Sequence, residues 1–470
     1  MPIATTNPAT GQVLKTYDPM SDEQVDAAIG RADLAFRQLH GTTIAQRAQW
    51  LTAAADLLEA ERDETARLMT TEMGKTYAAA RAEVTKCATA CRFYAGHAER
   101  MLADEPADAG AVGAKRAFVR YQPIGPVLAV MPWNFPLWQV MRFAAPALMA
   151  GNAGLLKHAS NVPQVALYLE DLFRRAGFPE GAFTTLLVGS DAVDRILSDP
   201  RVRAATLTGS EGAGRSIAKI AGRELKKTVL ELGGSDPFVV MPSADLDRAA
   251  EVATTARCQN NGQSCIAAKR FIIHSDVFDA FAERFAARMS ALTVGDPMDD
   301  GTDVGPLATD RGRAEVYGQV QNAVDNGATI LCGGELPAGD GWFYPPTVVT
   351  DLRPEMRMWS EEVFGPVAGL FRASSYEEAI EIANGTKFGL GSNAWTTDPA
   401  EQERFAADLD AGSVFINGMT TSYPDLPFGG VKNSGYGREL SAVGMREFCN
   451  TKTVWLGEGA PSAGAGAHAE

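Results

Sequence analysis

The sequence predicts an α/β protein built around parallel sheets. From residue 126 onward, short apolar runs alternate with segments of helical periodicity, a βαβ rhythm typical of a parallel sheet covered by helices on both faces. The segment before residue 104 instead carries the spacing of several consecutive helices. Glycine-marked polar turns follow several apolar runs, and such turns form ligand clefts at the carboxyl edge of a parallel sheet.

Helices account for the N-terminal part of the chain. Ser21-Asp22-Glu23-Gln24 is a capping box, which predicts that a helix begins there. Further helical patterns run from about Thr43 to Met73 and from about Tyr77 to Met101. Residues 104–114 are rich in Ala, Gly and Asp and indicate a loop, and Ala117–Tyr121 alternates like an exposed strand.

The strands of the parallel sheets are predicted from short apolar runs that are bounded by turn residues. The predicted strands are Val127–Met131, Gly154–Lys157, Thr184–Val188, Ala204–Thr208, Thr228–Leu232, Phe238–Met241, Arg270–Ile273, Thr329–Cys332 and Ala368–Phe371.

Length and composition indicate a globular protein of two or three domains, since the chain has 470 residues with 46% hydrophobic and 21% charged. The net charge of −15 argues against a nucleic-acid partner. No apolar run reaches the ~18–20 residues of a membrane span, and the N-terminus lacks the features of a signal peptide. Six cysteines are too sparse for a disulfide scaffold, so we expect a cytoplasmic protein. No cluster has zinc-ligand spacing, so we expect no metal.

Five motif groups carry candidate chemistry. They are Pro132–Pro136, Lys157–Ser160, Thr208–Gly214, the pair of Glu231 and Cys265, and Glu361–Pro366 with the later Pro427–Lys432 and Ser434–Glu439.

Cys265 and Glu231 together suggest covalent chemistry on an aldehyde or acyl group. A thiolate is a strong nucleophile toward a carbonyl carbon, and a carboxylate can activate the water that later releases the product. Gly262 permits a tight turn before Cys265, and polar residues precede the thiol. Free cysteines are more often inert core residues, which is the interpretation we give to the other five. By pattern alone, Glu231 before two glycines also fits a structural turn.

Gly209-Ser210 follows a predicted strand and opens a predicted helix, where backbone N–H groups and the positive helix end favour a pyrophosphate. The dinucleotide fingerprint G-x-G-x-x-G is absent, so an ordinary glycine-rich turn fits the pattern equally well.

The ordered set of motifs, from about Asn7 to Trp455, resembles the NAD(P)-dependent aldehyde dehydrogenase superfamily. The resemblance implies that family's fold: a Rossmann-like cofactor domain, an α/β catalytic domain and a small β oligomerisation element. The implied ranges are 1–106 and 126–232 for cofactor binding, 233–417 for catalysis, 107–125 and 433–457 for oligomerisation, and 458–470 for a flexible tail. A homodimer or homotetramer is the implied assembly.

The same resemblance implies the catalytic roles. Cys265 matches the nucleophile, and Glu231 matches the base that hydrolyses the thioester. The Asn134 amide and the Cys265 backbone N–H match the donors that stabilise the oxyanion. Ala267 stands where some relatives carry a second cysteine, so we expect no disulfide switch.

The cofactor residues implied by the resemblance lie in four of the motif groups. Residues matching Trp133, Lys157 and Ser160 lie along the adenosine ribose in the family, and we also place Lys157 among the catalytic residues. Gly209 and Ser210 would face the pyrophosphate. Glu362 matches the residue that holds the nicotinamide ribose, and Phe364 matches one that packs near the ring. NAD-preferring relatives often have a glutamate at the position of Ser160, so we expect NADP, with NAD possible.

The substrate residues implied by the resemblance are Arg142, Gln259 and Ser422. In succinate-semialdehyde dehydrogenases, which this sequence resembles most, the residue matching Arg142 reaches the substrate carboxylate. Those enzymes often carry a second arginine where this chain has Gln259, whose amide could also bind a carboxylate, and Ser422 lies where the family places a nearby hydroxyl. Three alternative functions stay open: the same chemistry on another small aliphatic aldehyde or semialdehyde, a cysteine hydrolase, and a catalytically silent relative. The alternative role for Arg142 is a surface salt bridge.

Overall fold

The computed structural model describes residues 2–457. The helices are α1 (Asp22–His40), α2 (Ile44–Ala60), α3 (Arg62–Met73), α4 (Tyr77–Met101), α5 (Trp138–Ala150), α6 (Pro163–Arg175), α7 (Val193–Ser198), α8 (Glu211–Arg223), α9 (Leu246–Cys258), α10 (Phe278–Ser290), α11 (Asp310–Asp325), α12 (Arg357–Ser360), α13 (Tyr376–Asn384), α14 (Pro399–Asp408) and α15 (Ser441–Glu447). The strands are β1 (Ile3–Asn7), β2 (Gln12–Tyr17), β3 (Glu105–Pro106), β4 (Arg116–Pro123), β5 (Pro126–Met131), β6 (Ala153–His158), β7 (Phe183–Thr185), β8 (Ala204–Thr208), β9 (Lys227–Glu231), β10 (Asp236–Val240), β11 (Ala268–His274), β12 (Thr329–Cys332), β13 (Thr347–Thr350), β14 (Val367–Ala373), β15 (Gly391–Trp395), β16 (Ser413–Ile416), β17 (Gly435–Tyr436) and β18 (Cys449–Leu456).

The first large sheet has six strands in the order β17-β9-β8-β5-β6-β7. Strands β5 to β9 are mutually parallel, and β17 is antiparallel to β9. The chain starts in the middle with β5, adds β6 and β7 on one side, and then adds β8 and β9 on the other. This change of direction between β5 and β8 opens a crevice at their carboxyl ends, where parallel sheets bind ligands.

The second large sheet has seven strands in the order β12-β13-β14-β11-β10-β15-β16, of which only β12 is antiparallel. A short 3₁₀ turn, Gln259–Gly262, connects α9 to the loop that precedes β11. A third sheet, β18-β4-β3, is antiparallel. The helix α4 packs against α2, α3 and α5 in the core beside the first sheet.

The predicted α/β class with parallel sheets is confirmed, and the predicted helix start at Ser21 is confirmed by its capping-box hydrogen bonds. The strand predicted over Thr184–Val188 ends at Thr185, because the Val188 N–H bonds back to Leu186 instead of continuing the ladder.

Two further details differ from the sequence-based expectation. The helical segment predicted over residues 43–73 breaks at Glu61, whose carboxylate binds Arg175 and Tyr168. Strand β17 falls in the range 433–457 assigned to oligomerisation, yet it pairs with β9. The predicted flexible tail, residues 458–470, lies outside the described residues.

Within residues 2–457, no helix is long and apolar enough to cross a membrane. Over the same range, no group of His, Cys, Asp and Glu side chains could hold a metal ion.

Candidate active site

A cavity of about 250 Å³ lies at the carboxyl edge of the first sheet. Its walls come from the turns after β5, β8 and β9 and from the loop before β14. The lining residues are Pro132, Trp133, Asn134, Gln139, Thr208, Gly209, Ser210, Leu232, Gly233, Cys265, Glu362 and Phe364. Predicted cofactor residues from distant parts of the chain therefore share one cavity.

The shape and polarity of this cavity fit a dinucleotide. Helix α8 points its N-terminus into the turn at Gly209, and the Ser210 hydroxyl caps it by accepting from the Ala213 N–H at 3.3 Å. The buried Thr208 hydroxyl has no hydrogen-bond partner among the described residues. The Trp133 ring meets the Phe364 ring edge-on, with centroids 5.8 Å apart, and together they form an aromatic wall. An anionic pyrophosphate would be stabilised at the helix end.

Lys157 and Ser160 lie at and just beyond the end of β6, beside β5 in the sheet. They are not in the lining of this cavity, which on the β6 side ends at the turn after β5. Burial lowers the pKa of Lys157, and the nearby Asp191 charge opposes that effect. The carbonyl of Ser160 accepts from the Ala4 N–H at 3.0 Å, so β1 holds this turn in place.

Gly233 makes room for Glu362, and Gly234 binds it. A Cβ on Gly233 would lie 2.4 Å from Glu362 Oε2, and the Gly234 N–H donates to Glu362 Oε1 at 3.1 Å. Lys269 Nζ lies 3.4 Å from the same carboxylate. Burial raises the pKa of Glu362, and the Lys269 charge opposes that shift. A carboxylate is thereby fixed at the cavity wall.

The turn before Cys265 is built by two consecutive asparagines in left-handed conformation. Asn260 (φ 55°) donates to the carbonyls of Asn134 and Gln263, and Asn261 (φ 57°) donates to those of Gly74 and Pro306. Asparagine tolerates this conformation better than most residues. These hydrogen bonds fix the turn and thereby the position of Cys265 after it.

Gly262 completes this turn at φ +73°. A Cβ there would lie 2.3 Å from the carbonyl carbon of Gly365, so only glycine allows the loop before β14 to close over the turn.

Cys265 lies on the wall shared by two cavities, the cofactor cavity and a second one described below. Burial raises the pKa of its thiol to about 12, while the charges of Arg142 and Lys269 act in the opposite direction. Lys269 Nζ donates to the carbonyls of Ser264, Cys265 and Ala267 at 2.9, 2.8 and 3.1 Å. Lys269 thus holds the loop in place and sets its own amino group close to Cys265.

Asn134, which lines the same cavity as Cys265, and the Cys265 backbone each offer a hydrogen-bond donor. The Asn134 amide donates to the Gln263 carbonyl at 3.0 Å, which leaves its second N–H available. The Cys265 N–H has no acceptor within residues 2–457. These are the two donors that the sequence analysis assigned to an oxyanion.

Glu231 ends β9 with its side chain buried, and neither carboxylate oxygen has a hydrogen-bond partner in the described part of the chain. A Cβ on Gly429, in the Pro427–Lys432 motif, would lie 2.8 Å from Glu231 Oε1, which explains the glycine at that position. Burial, followed by the charge of Glu439, raises the pKa of Glu231 well above its usual range. A carboxylate with a raised pKa is a stronger base toward water than an ordinary glutamate.

The second cavity, of about 230 Å³, also reaches Cys265 and shares only Cys265 and Gln139 with the first. It brings together all three predicted substrate residues. Its lining is Lys75, Ala79, Ala82, Glu83, Lys86, Phe135, Trp138, Gln139, Arg142, Gln259, Asn260, Ser264, Cys265, Ile266, Thr420, Thr421 and Ser422.

Arg142 is buried, with Nε 2.8 Å from Glu439 Oε2 and its guanidinium 4.4 Å from the Phe428 ring centroid. The alternative prediction, that Arg142 forms a salt bridge at the surface, is wrong, because only 3% of its side chain is exposed. Its Nη2 has no hydrogen-bond partner among residues 2–457, so the guanidinium keeps donors that can face a ligand.

Several charged residues of the site were not assigned from the sequence, among them Glu83, Lys86, Lys269 and Glu439. Glu439 belongs to a motif that had been singled out, and Lys269 follows Cys265 closely, so both had a local signal. Glu83 and Lys86 lie on α4 without any motif around them. Only the packing of α4 against α5 reveals them.

The chain is similar in sequence and in structure to known proteins. The model of the aldehyde dehydrogenase family matches residues 1–454. A succinate-semialdehyde dehydrogenase [NADP(+)] of Mycolicibacterium paratuberculosis is 68% identical over 458 residues, which is 97% of each chain. One from Mycobacterium bovis is 66% identical over 456 residues, 97% of this chain and 100% of that protein.

A solved structure supports the same assignment. The Streptococcus pyogenes succinic semialdehyde dehydrogenase, in complex with NADP+, is 38% identical with a TM-score of 0.94, and the match covers 97% of this chain and 100% of that one. With a family model that spans nearly the whole sequence, these matches show that the chain belongs to the aldehyde dehydrogenase family.

Proposed function

We propose that this chain oxidises succinate semialdehyde to succinate with NADP as the oxidant. The observation that carries the proposal is the position of Cys265 on the wall between two cavities. One cavity has the aromatic wall and helix end that suit a dinucleotide, and the other holds Arg142, Lys86 and Ser422, which suit a carboxylate. The relatives that carry this activity by name are 66–68% identical.

The mechanism follows from the groups around the thiol. Cys265 loses its thiol proton to water, and the thiolate Sγ attacks the aldehyde carbon. The Asn134 amide and the Cys265 N–H donate to the oxyanion of the adduct. The chemistry supplied by bound NADP is hydride acceptance, which leaves a thioester on Cys265. Glu231 then removes a proton from water, and the hydroxide that forms attacks the thioester, releasing the acid and the free thiol.

A steady-state panel tests the function. Succinate semialdehyde, shorter and longer semialdehydes, and uncharged aldehydes such as butanal are each assayed with NADP and with NAD. We expect the highest kcat/KM for succinate semialdehyde with NADP. A higher kcat/KM for an uncharged aldehyde would favour the alternative, the same chemistry on another small aldehyde.

Replacement of Ser160 by glutamate tests the basis of cofactor choice. A carboxylate at this position would repel a 2′-phosphate, so we expect the NADP/NAD ratio of kcat/KM to fall roughly tenfold or more. Ser160→Gln adds similar bulk without charge and serves as the control. An unchanged ratio in Ser160→Glu would show that residues elsewhere set the preference.

Replacement of Arg142 by alanine tests carboxylate recognition. A charge-assisted hydrogen bond is worth ~1.5–3 kcal/mol, so we expect kcat/KM for succinate semialdehyde to fall roughly 10- to 150-fold more than that for butanal. The substitution also strands the buried Glu439 carboxylate, which destabilises the fold. The double variant Arg142→Met with Glu439→Gln removes the unpaired charge and serves as the control. Thermal unfolding measures the stability of the single and the double variant. Equal losses on the two substrates would remove Arg142 from substrate binding.

We also propose a cytoplasmic homo-oligomer, either a dimer or a dimer of dimers, acting on a small-molecule aldehyde. All six cysteines are free thiols, which fits a reducing compartment. Strand β18 forms one edge of the third sheet and exposes Trp455 and Leu456, and an apolar edge strand of this kind favours a partner. Light scattering after size-exclusion chromatography measures the assembly.

A further inference from the structure

A half-buried lysine on helix α4 lines the cavity that leads to Cys265. Lys86 Nζ donates to Ser422 Oγ at 3.0 Å and lies 4.4 Å from the centroid of the Trp138 ring. The aromatic face and the hydroxyl therefore hold the ammonium group at a defined place in the cavity wall.

Lys86 has no carboxylate partner within the described residues, unlike the other cations of the cavity. Lys75 is paired with Glu83, and Arg142 is paired with Glu439. Glu83 lies one helical turn before Lys86, but it also accepts from the backbone N–H groups of Leu137 and Trp138. A partly desolvated cation without a counter-ion is costly, and an anionic ligand in the cavity would remove that cost.

Ser422 is arranged as a donor toward the same space. A serine oxygen accepts two hydrogen bonds and donates one. Both acceptor positions are filled, by Lys86 and by the Trp138 indole N–H at 3.0 Å. The hydroxyl proton must therefore point away from these two groups, and no acceptor for it is found among residues 2–457. Lys86 and Ser422 together present an ammonium and an O–H to a bound anion.

We infer that Lys86 is a specificity-determining residue whose ammonium group, together with the Ser422 hydroxyl, binds the carboxylate of a semialdehyde substrate. This inference rests on the proposed function. Gln259, in the same cavity, is neutral, and Lys75 is held by Glu83, so Lys86 is the cation beside Arg142 that remains for a substrate carboxylate.

The surroundings of Lys86 add a pH dependence to this role. Burial and then the Arg142 charge on α5 lower the pKa of Lys86 to about 8, while Cys87 and Glu83 on α4 oppose the shift. Ser422, from the loop after β16, is uncharged. The ammonium is present below this pKa and is lost above it. Preference for semialdehyde over butanal should therefore decline between pH 7 and pH 9.5.

The test compares Lys86→Met, which keeps the length and apolar packing of the side chain, with Lys86→Arg, which keeps the charge. For Lys86→Met we expect the ratio of kcat/KM for succinate semialdehyde to that for butanal to fall roughly tenfold to a hundredfold. Inhibition by succinate should weaken by a similar factor, which measures carboxylate binding without turnover. Lys86→Arg should restore much of the ratio and keep it constant to pH 9.5. Lys219→Met, at an exposed lysine of α8, controls for substitution at a surface lysine.

The outcomes separate this inference from the proposed function. If the wild-type protein shows no preference for succinate semialdehyde over butanal, the proposed function fails, and this inference fails with it. If the preference exists but Lys86→Met leaves both the ratio and succinate inhibition unchanged, only the inference is overturned. Equal losses on both substrates with unchanged succinate inhibition would also overturn it, because Lys86 would then have a structural role alone.

Discussion

Replacing Cys265 with alanine should lower aldehyde oxidation by ~10⁴-fold or more, as expected when a covalent nucleophile is removed. Within residues 2–457, Cys265 is the only thiol that lines either the substrate or the cofactor cavity. No other sulfur can therefore form the adduct. The measurement is steady-state formation of NADPH, with thermal unfolding and NADP titration to show that the variant is folded and binds cofactor.

Cys258→Ala is the matched control. Cys258 is close to Cys265 in sequence, yet its Sγ packs 3.5 Å from Met289 Sδ in the core, and burial raises the pKa of its thiol to about 12. We expect this variant to retain most of the wild-type kcat. Substantial turnover by Cys265→Ala, above about one part in a hundred of wild type, would contradict the covalent mechanism.

Replacing Glu231 with glutamine should separate the two halves of the reaction. We expect a rapid burst of NADPH, stoichiometric with active sites, followed by steady turnover reduced ~10²–10⁴-fold, because the thioester forms but lacks the base that activates water. Glutamine fits the space that Gly429 leaves beside Glu231, so the fold should be kept. Rapid mixing with absorbance detection measures burst and steady state together.

The pH profile gives a second measure of Glu231. Its raised pKa means that the carboxyl is largely protonated in the acidic range and becomes a base as the pH rises. Wild-type kcat should therefore increase with pH where hydrolysis limits the rate, and this increase should be absent from Glu231→Gln. Glu361→Gln is the control, since that carboxylate pairs with Arg357 outside both cavities. Steady turnover by Glu231→Gln at the wild-type rate would assign deacylation to another group.

The sequence determined those parts of the protein that depend on local chemistry. The capping box at Ser21 predicted where α1 begins, because its hydrogen bonds involve residues within one turn. The Asn-Asn-Gly turn and the glycines after Glu231 were visible as motifs, because each needs a left-handed backbone or a missing Cβ at a particular position. The family, the fold class and the candidate nucleophile followed from the order of such motifs.

The tertiary structure alone decided which distant residues meet. Lys86 and Ser422 are 336 residues apart, and neither segment contains a local signal that pairs it with the other. Arg142 was expected to meet a substrate carboxylate, but its buried pairing with Glu439 follows from the packing of α5 beneath the segment before α15. No glycine or proline marks the helix break at Glu61 in the sequence. The break is associated with a long-range contact, in which Arg175 and Tyr168 of α6 bind the Glu61 side chain. Turns and caps are encoded by local sequence, because the groups that form them are a few residues apart. The substrate pocket instead depends on long-range packing, because its side chains become neighbours only when the chain folds.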